Sequence, residues 1–256
     1  MGKVNERAGA VTLSIVSHGQ KALVEALLLD LVGCNQVEMI VLTLNVDEPA
    51  VEVPELLRER LVFVHNLEPK GFGENHNHAF RQCMTPWFAV LNPDIRLPTD
   101  PFPSLIKLLA ESGAAVCAPA VLSPLGKVED NARIFPTPWG IIAKGLGLGN
   151  GQIRYRLGDV SFAPDWVGGM FLLFRHEDYQ KIGGFDPGFF LYYEDVDLCA
   201  RLHKAGSGVL FCPTVHVIHD ARRSSRQSMR YLTWHLKSMF RFWLKHLGRL
   251  PTVIRP

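Results

Sequence analysis

Apolar, β-branched runs alternate with amphipathic helical segments through the first 120 residues. Such alternation predicts β–α–β units, which build a mainly parallel central sheet with helices on both faces. The predicted strands are residues 11–16, 37–44, 61–64, 87–91 and 114–120, and the predicted helices are residues 21–32, 75–83 and 101–112. The chain is therefore expected to be a doubly wound α/β protein.

Polar residues follow several of the predicted strands. Ser17, Asn45, Asn66 and residues 92–94 all take such positions. Ligands of doubly wound sheets bind at the carboxyl ends of the strands, so these residues are candidates for a binding site. The Gly-rich stretch 70–75 lacks the dinucleotide and P-loop patterns, and the chain has no GxSxG element of an α/β-hydrolase.

The second half of the chain is less regular. Residues 122–164 are rich in Gly and Pro and are interpreted as loops and a mobile segment. An apolar strand is predicted over residues 166–174 and a short strand over residues 209–212. Internal repeats and low-complexity stretches are absent from the sequence.

The composition fits one sizeable globular unit. Hydrophobic residues make up 47% of the 256 residues, and no apolar run reaches the length that spans a bilayer. The first ten residues are polar and lack the apolar core of a signal peptide. The five cysteines are odd in number and lack zinc-site spacing, which indicates reduced thiols. These features predict a cytoplasmic protein.

Charge is divided unevenly along the chain. No acidic residue follows Asp220, and this tail carries nine of the 27 basic residues. The preceding 220 residues carry 18 basic and 25 acidic side chains, a net charge of −7. The split predicts a globular domain over residues 1–220 and a basic tail over residues 221–256 that is directed at phosphate, lipid or nucleic acid.

The tail contains a predicted amphipathic helix over residues 229–247. Its apolar residues recur at spacings of three and four: Met229, Leu232, Leu236, Met239, Phe240, Trp243 and Leu247. The apolar face either closes the core or lies in a membrane interface, with basic residues against anionic head groups. The large apolar residues favour these two interpretations over nucleic-acid binding.

The sequence Leu91-Asn92-Pro93-Asp94 is the strongest local signal. A buried strand here delivers a carboxylate to the edge of the sheet where ligands bind. Asp94 is a candidate ligand for Mg²⁺ or Mn²⁺, because hard cations prefer carboxylate oxygens and would offset charge on a departing diphosphate. A simple turn is the alternative, since Asn, Pro and Asp are common turn residues.

Three carboxylates follow a run of aromatic residues at 194–197. Glu194, Asp195 and Asp197 open a predicted helix, and one of them is a candidate general base for an acceptor hydroxyl. Acidic residues also favour the first turn of any helix, which is the structural alternative. The spacing of Asp197 and Arg201 predicts an ion pair on one helix face.

His216 and His219 follow the last predicted strand. Either histidine could complete a metal site with Asp94, although a lone histidine more often has a structural role. Arg222 and Arg223 come next, and they are candidates for a diphosphate clamp or for a solvated basic face.

Taken in order, these pieces resemble the GT-A glycosyltransferases of family 2, over residues 11–247. The matching blocks are residues 14–19, 71–73 with Asn77, 91–95, 165–169, 184–186, 194–198 and His219. The resemblance implies a Rossmann-like GT-A domain over residues 1–220, followed by the amphipathic C-terminal helix. It also implies an inverting, metal-dependent transfer of a sugar from a nucleotide donor.

The resemblance also implies roles for single residues. Asp195 matches the catalytic base, and Asp94 and His219 match the ligands of Mg²⁺ or Mn²⁺. Ser17 and Asn45 match nucleotide-side positions, and Gly71, Asn77, Asn92, Arg222 and Arg223 are further candidates for binding the donor. Asn92 stands where many relatives have Asp, and no acidic residue directly precedes Asn45. On the acceptor side are Glu194 and Trp166, whose aromatic surface suits a sugar ring.

Residues 17–19, 92–95, 192–199 and 234–238 narrow the resemblance to bacterial rhamnosyltransferases. That subgroup implies dTDP-β-L-rhamnose as donor and N-acetylglucosaminyl-diphospho-undecaprenol as acceptor, at the inner face of the cytoplasmic membrane. A different sugar nucleotide and a non-catalytic sugar-nucleotide-binding protein are the alternatives. The second alternative predicts loss of the base, whereas Asp195 and Asp94 are both present.

Overall fold

The computed structural model describes residues 9–140, 146–149, 151–220 and 229–253. The strands are β1 (Val11–Ser17), β2 (Val37–Leu44), β3 (Leu61–His65), β4 (Trp87–Leu91), β5 (Ile95–Arg96), β6 (Val116–Leu122), β7 (Ala132–Arg133), β8 (Trp166–Val167), β9 (Phe171–Arg175) and β10 (Val209–His219). The helices are α1 (Lys21–Leu31), α2 (Phe72–Phe80), α3 (Phe102–Ser112), α4 (His176–Ile182), α5 (Glu194–Lys204) and α6 (Met229–His246), and a 3-10 helix spans Glu55–Arg60.

The central sheet has the strand order β3-β2-β1-β4-β9-β6-β10-β5. Its pairings are parallel, except that β9 runs antiparallel to β4 and β6, and β5 runs antiparallel to β10. A second, two-stranded sheet joins β7 to β8. The predicted mainly parallel α/β architecture is confirmed.

The central strands of the sheet are buried on both faces, as expected for a parallel sheet covered by helices, while the edge strand β3 is largely exposed. Every residue of β1, β4 and β6 is buried. Side chains of α1 and α3 pack on one face, and side chains of α2, α4 and α5 pack on the other. The carboxyl ends of the parallel strands stay at one edge, which is where the polar residues lie.

The predicted strand over residues 114–120 is observed two residues later, as β6, and two other predicted strands differ more from the observed ones. The predicted strand over residues 166–174 is two strands in different sheets, because Gly168 and Gly169 turn away between them and their amides bond to side chains elsewhere. The predicted strand over residues 209–212 continues to His219 as β10. Its pairing with β6 shifts register between Cys212 and His216, around Pro213, which has no backbone N–H to donate.

Helix α6 matches its predicted position and has two distinct sides. Ser238, Phe242 and His246 are buried against the rest of the protein, and we call them the inner face of α6. Leu236, Phe240 and Leu244 are exposed on the opposite side. The inner face of α6 is therefore consistent with a helix that closes the core, and the exposed apolar side is consistent with a helix at a membrane interface. None of the described helices is long and apolar enough to cross a membrane.

Candidate active site

The carboxyl ends of β1, β2 and β3 carry a connected polar cluster. Ser17 Oγ donates to Glu48 Oε2 at 2.9 Å, and Asn66 Nδ2 donates to Asn45 Oδ1 at 2.6 Å. Asn45 also exchanges two 2.9 Å hydrogen bonds with the backbone of Lys70. The Asn45 N–H donates to the Ser17 carbonyl at 2.9 Å, so the structure brings Ser17 and Asn45 together.

Glu48 supplies a carboxylate that the sequence analysis did not identify. It comes from the loop after β2, three residues beyond Asn45, and its Oε1 accepts the Gly19 N–H at 3.4 Å. His18 lies beside Asn45, and burial lowers its pKa while Glu48 opposes that shift. A carboxylate with free lone pairs beside a neutral imidazole suits a ligand rich in hydroxyl groups, such as a nucleoside.

Gly71 and Asn77 join α2 to the loop before α5. A Cβ at Gly71 would lie 2.8 Å from the carbonyl oxygen of Phe190, so only glycine allows this approach. Asn77 Nδ2 donates to the Phe185 carbonyl at 2.8 Å, and its Oδ1 accepts from Phe185 N–H and from the Tyr179 hydroxyl. The Asn77 amide therefore holds α2 against the segment before α5.

Asp94 and His219 are brought together by the pairing of β5 with the end of β10. His219 Nε2 lies 3.2 Å from Asp94 Oδ2, and His219 Nδ1 lies 2.7 Å from Glu129 Oε2. Burial disfavours the protonated imidazole, but the two carboxylates outweigh burial and raise the pKa of His219 to about 8. Glu129 was missed by the sequence analysis, since it lies 90 residues from His219 in an irregular segment.

The Asp94 and His219 pair fits a divalent cation. Asp94 Oδ1 is buried without a hydrogen-bond partner among the described residues, so one oxygen of this carboxylate has a lone pair to offer. Glu129 fixes the imidazole from its other nitrogen, as outer carboxylates do in many histidine–metal sites. Within the described residues, no group of three or more His, Cys, Asp or Glu forms a full cage. Mg²⁺ commonly takes only one or two protein ligands and completes its shell with phosphate oxygens and water.

Asp195 lies at the start of α5, with both carboxylate oxygens hydrogen-bonded. Its Oδ2 accepts the Gly169 N–H at 3.0 Å and its Oδ1 accepts the Val196 N–H at 2.8 Å. Burial raises the pKa of Asp195 to about 6, against the effect of these hydrogen bonds and of the Arg133 charge. The group is therefore mainly ionised at neutral pH, yet it is a stronger proton acceptor than an ordinary aspartate.

Glu194 differs sharply from its neighbour. It is buried, its Oε2 has no hydrogen-bond partner among the described residues, and burial raises its pKa well above the ordinary value. The Asp195 charge raises that pKa further. Burial therefore favours the protonated form more strongly at Glu194 than at Asp195, whose carboxylate is stabilised by two backbone hydrogen bonds, and adjacent carboxyl groups with different environments are typical of acid and base roles.

Backbone contacts place both carboxylate sites at the same edge of the sheet. Asn92 follows β4, and its N–H donates to the Met170 carbonyl at 2.9 Å. Met170 directly follows Gly169, which holds Asp195. The end of β4, which leads to Asp94, and the turn that holds Asp195 are therefore adjacent.

The remaining predicted residues lie around this edge or outside the described residues. Trp166 is half-buried on β8, where its Nε1 donates to the Ile134 carbonyl at 2.9 Å and Arg133 stacks 5.6 Å from its ring centroid. The Arg133 guanidinium, whose positive charge lowers the pKa of Asp195, therefore also contacts Trp166. Arg222 and Arg223 lie outside the described residues.

Comparisons with known proteins agree with this geometry. A family model described as "Glycosyltransferase like family 2" matches residues 9–241. Rhamnosyltransferase WbbL from Escherichia coli K12 is 30% identical over 248 residues, which cover 91% of this chain and 92% of that protein. The N-acetylglucosaminyl-diphospho-decaprenol L-rhamnosyltransferase of Mycobacterium tuberculosis H37Rv is 29% identical over 183 residues, covering 66% of this chain and 59% of that protein.

Solved structures share the fold at low sequence identity. GalNAc-T7 with UDP, GalNAc and Mn²⁺ matches with a TM-score of 0.66 and 14% identity, over 92% of this chain and 47% of that one. The mannosyltransferase PcManGT from Pyrobaculum calidifontis, in complex with GDP-Man and Mn²⁺, matches with a TM-score of 0.61 and 14% identity, over 96% and 65%. The chain therefore has a GT-A fold and belongs to the family-2-like glycosyltransferases.

Proposed function

We propose that this glycosyltransferase moves L-rhamnose from dTDP-β-L-rhamnose to N-acetylglucosamine on undecaprenyl diphosphate, in the synthesis of O-antigen or another cell-surface polysaccharide. The observation that carries the reaction type is Asp195, a carboxylate with a raised pKa, held by a turn that is hydrogen-bonded to the end of β4 leading to Asp94. The names of the two relatives, one of them specific for a polyprenyl-diphosphate sugar, support the donor and the acceptor.

The proposed reaction is a single in-line displacement. Asp195 accepts the proton of the acceptor hydroxyl as its oxygen forms a bond to the anomeric carbon. The bond from that carbon to the diphosphate oxygen breaks on the opposite face, and dTDP leaves with the electron pair. The configuration inverts to an α-1,3 linkage, through an oxocarbenium-like transition state of the kind seen in glycoside hydrolysis.

The donor lies along the carboxyl ends of β1 to β4. Ser17, Asn45 and Glu48 face the nucleoside, and Asn92 lies near the diphosphate. Asp94 and His219 would hold Mg²⁺ or Mn²⁺, which would offset charge on the departing diphosphate. Arg222 and Arg223 remain predicted diphosphate ligands.

The acceptor side is built from Trp166 and Glu194. The Trp166 ring, held by its bond to the Ile134 carbonyl, offers an aromatic surface to the sugar. Burial raises the pKa of Glu194 well above its ordinary value and so favours the protonated form, whose carboxyl O–H can donate a hydrogen bond. These two residues orient the acceptor hydroxyl toward Asp195.

The exposed side of α6 supports a proposed peripheral contact with the inner face of the cytoplasmic membrane. Leu232, Leu236, Phe240 and Leu244 are between 42% and 76% exposed, although they are large and apolar. Arg230 and Lys237 are further basic residues of α6, which has no acidic residue, whereas Arg241 and Lys245 form ion pairs with Asp186. Such a helix lies in the plane of an anionic interface, where a lipid-linked acceptor is also found. This peripheral contact is part of the proposal.

The proposal is tested by a transfer assay with purified protein, dTDP-β-L-rhamnose and N-acetylglucosaminyl-diphospho-undecaprenol, with Mg²⁺ or Mn²⁺. We expect one rhamnose per acceptor, no product after addition of EDTA, and an α linkage by NMR. Transfer only from another sugar nucleotide would overturn the donor assignment. Binding of dTDP without transfer from any sugar nucleotide would overturn the catalytic assignment.

A further inference from the structure

Two tyrosines before the carboxylates of α5 adopt a left-handed backbone. Tyr192 has φ of 70° and Tyr193 has φ of 66°, and they are the only non-glycine residues with positive φ among those described. A side chain makes this conformation unfavourable, so it persists only where the surroundings hold it. Glu194 and Asp195 follow directly, and their direction depends on this turn.

Helix α6 contacts this turn. Ser238 Oγ donates to the Leu191 carbonyl at 2.8 Å. The Phe242 ring lies 5.6 Å from the Tyr193 ring, and the His235 ring lies 5.4 Å from Tyr192 and 5.3 Å from Tyr193. The turn is thus held by hydrogen bonding and by ring packing from one neighbouring helix.

A second set of contacts holds α5 just beyond Asp195. Asp197 is fully buried, and its Oδ1 lies 2.8 Å from His246 Nε2 and 2.7 Å from Lys245 Nζ. Burial opposes ionisation of Asp197, but the neighbouring cationic and hydrogen-bonding groups outweigh burial and lower its pKa. Helix α6 therefore contacts the chain both before Asp195, at residues 191–193, and after it, at Asp197.

We infer that the inner face of α6 is a positioning element for Asp195, which it holds in line with the acceptor through the left-handed turn at Tyr192 and Tyr193. This inference rests on the proposed role of Asp195 as the base. Ser238 and Phe242 touch neither donor nor acceptor; they act through the turn. The contrasting possibility is a helix that only adds stability, with no effect on the geometry of Asp195.

Ser238→Ala is the first test, because it removes one hydrogen bond and leaves the packing of α6 in place. We expect kcat to fall about tenfold, since a small misplacement of a reacting group costs this much or more. KM for the donor should stay unchanged, because the donor residues lie on β1 to β4. Thr233→Ala is the matched control: it also removes one hydroxyl from α6, but that hydroxyl bonds only to the Met229 carbonyl of α6 itself.

A second substitution, at Tyr192, distinguishes a role of α6 in positioning Asp195 from a role in stability alone. In the Ser238→Ala background, Tyr192→Gly should restore kcat several-fold, because glycine adopts positive φ without strain. Tyr192→Ala deletes the same ring but keeps the strained Cβ, so it should restore nothing. Equal kcat values for the Gly and Ala versions, or an unchanged kcat in Ser238→Ala, would overturn the inference.

Hydrogen exchange gives a readout that does not depend on transfer. Ser238→Ala should speed amide exchange in residues 190–197 and leave residues 11–17 unchanged. The native protein could transfer no sugar and yet show this change in exchange. In that case the proposed function fails, but the inference that α6 holds the turn at Tyr192 and Tyr193 is supported. Exchange that speeds up evenly over the whole chain would mean a general loss of stability and would refute the positioning role.

Discussion

The backbone N–H of Gly169 donates a 3.0 Å hydrogen bond to Oδ2 of Asp195, and so joins the turn between β8 and β9 to the first turn of α5. A Cβ at position 169 would come within 3.2 Å of the Phe72 ring, so glycine permits the close approach. The bond fixes the direction of the carboxylate and favours its charged form. Asp195 thus combines a fixed orientation with a raised affinity for protons.

Replacing Asp195 with Asn should abolish transfer while leaving donor binding intact. The amide keeps nearly the same size but cannot accept the acceptor proton, and general-base catalysis typically contributes about 10²–10⁴-fold. We expect kcat to fall by about that factor in the rhamnosyl-transfer assay, with an unchanged Kd for dTDP by calorimetry. Glu177→Gln, an exposed carboxylate at the start of α4, is the matched control and should retain full activity. A variant with native kcat would remove Asp195 from the base role.

The pH profile should report the raised pKa of Asp195. Burial raises that pKa to about 6, so the protonated, inactive form accumulates as the pH falls below this value. We expect kcat/KM to fall about tenfold per pH unit below the pKa of Asp195, in assays at saturating metal. Initial rates at low donor concentration measure this ratio. A profile that stays flat down to the ordinary range of aspartate, about pH 4, would contradict the assignment.

The sequence predicts the apolar strands of the sheet well. The bounds of β2 and β4 agree with their predictions, and β6 begins and ends two residues later than predicted. The sequence predicts the bounds of an element less well where contacts with residues distant in the chain determine them. Helix α2 begins at Phe72, three residues before the predicted start, because the Phe72 N–H is bound by the Phe190 carbonyl. No local pattern contains that contact.

The same division holds for the candidate site. Asp94 and Asp195 carry local signals, since each follows a buried or aromatic segment at a predicted element boundary. Glu129 and Glu48 lie in irregular segments, and only the folded chain brings them to His219 and Ser17. The turn at Tyr192 and Tyr193 was also beyond sequence reasoning, because tyrosine does not favour positive φ and α6 holds it there.

Gly71→Ala should both destabilise the protein and slow transfer. The added Cβ would lie 2.8 Å from the carbonyl oxygen of Phe190, which is backbone and has little freedom to move. Overpacking of this kind costs about 1–3 kcal/mol, measured as the free energy of unfolding in urea. The displaced segment leads into the turn before Asp195, so kcat should fall as well. Gly33→Ala is the control, because its nearest atom is 3.9 Å away.

Phe240→Glu should weaken membrane binding without changing transfer to a short-chain, water-soluble acceptor. Phe240 is 57% exposed at the centre of the apolar side of α6, and burial of such a side chain contributes about 1.5–3 kcal/mol. Sedimentation with vesicles that contain phosphatidylglycerol should show roughly ten- to hundredfold weaker binding. Leu125→Glu, at a position 95% exposed in the loop after β6, is the control. Equal binding of the two variants would show that α6 does not dock there.

Glu129→Gln should weaken metal binding although Glu129 is not a predicted ligand. Glu129 Oε2 lies 2.7 Å from His219 Nδ1 and fixes the ring so that Nε2 faces Asp94. Loss of such an outer carboxylate typically lowers metal affinity about 10–100-fold.

Titration of Mn²⁺ followed by electron paramagnetic resonance, in the presence of dTDP, measures this affinity without turnover. His219→Ala removes the predicted ligand itself, so its effect should equal or exceed that of Glu129→Gln. The exposed Glu111→Gln on α3 changes the same net charge far from His219 and should leave the Kd unaltered. If Glu129→Gln bound Mn²⁺ as tightly as the native protein while His219→Ala did not, the histidine would be oriented by its strand alone, and the carboxylate would have no part in the metal site.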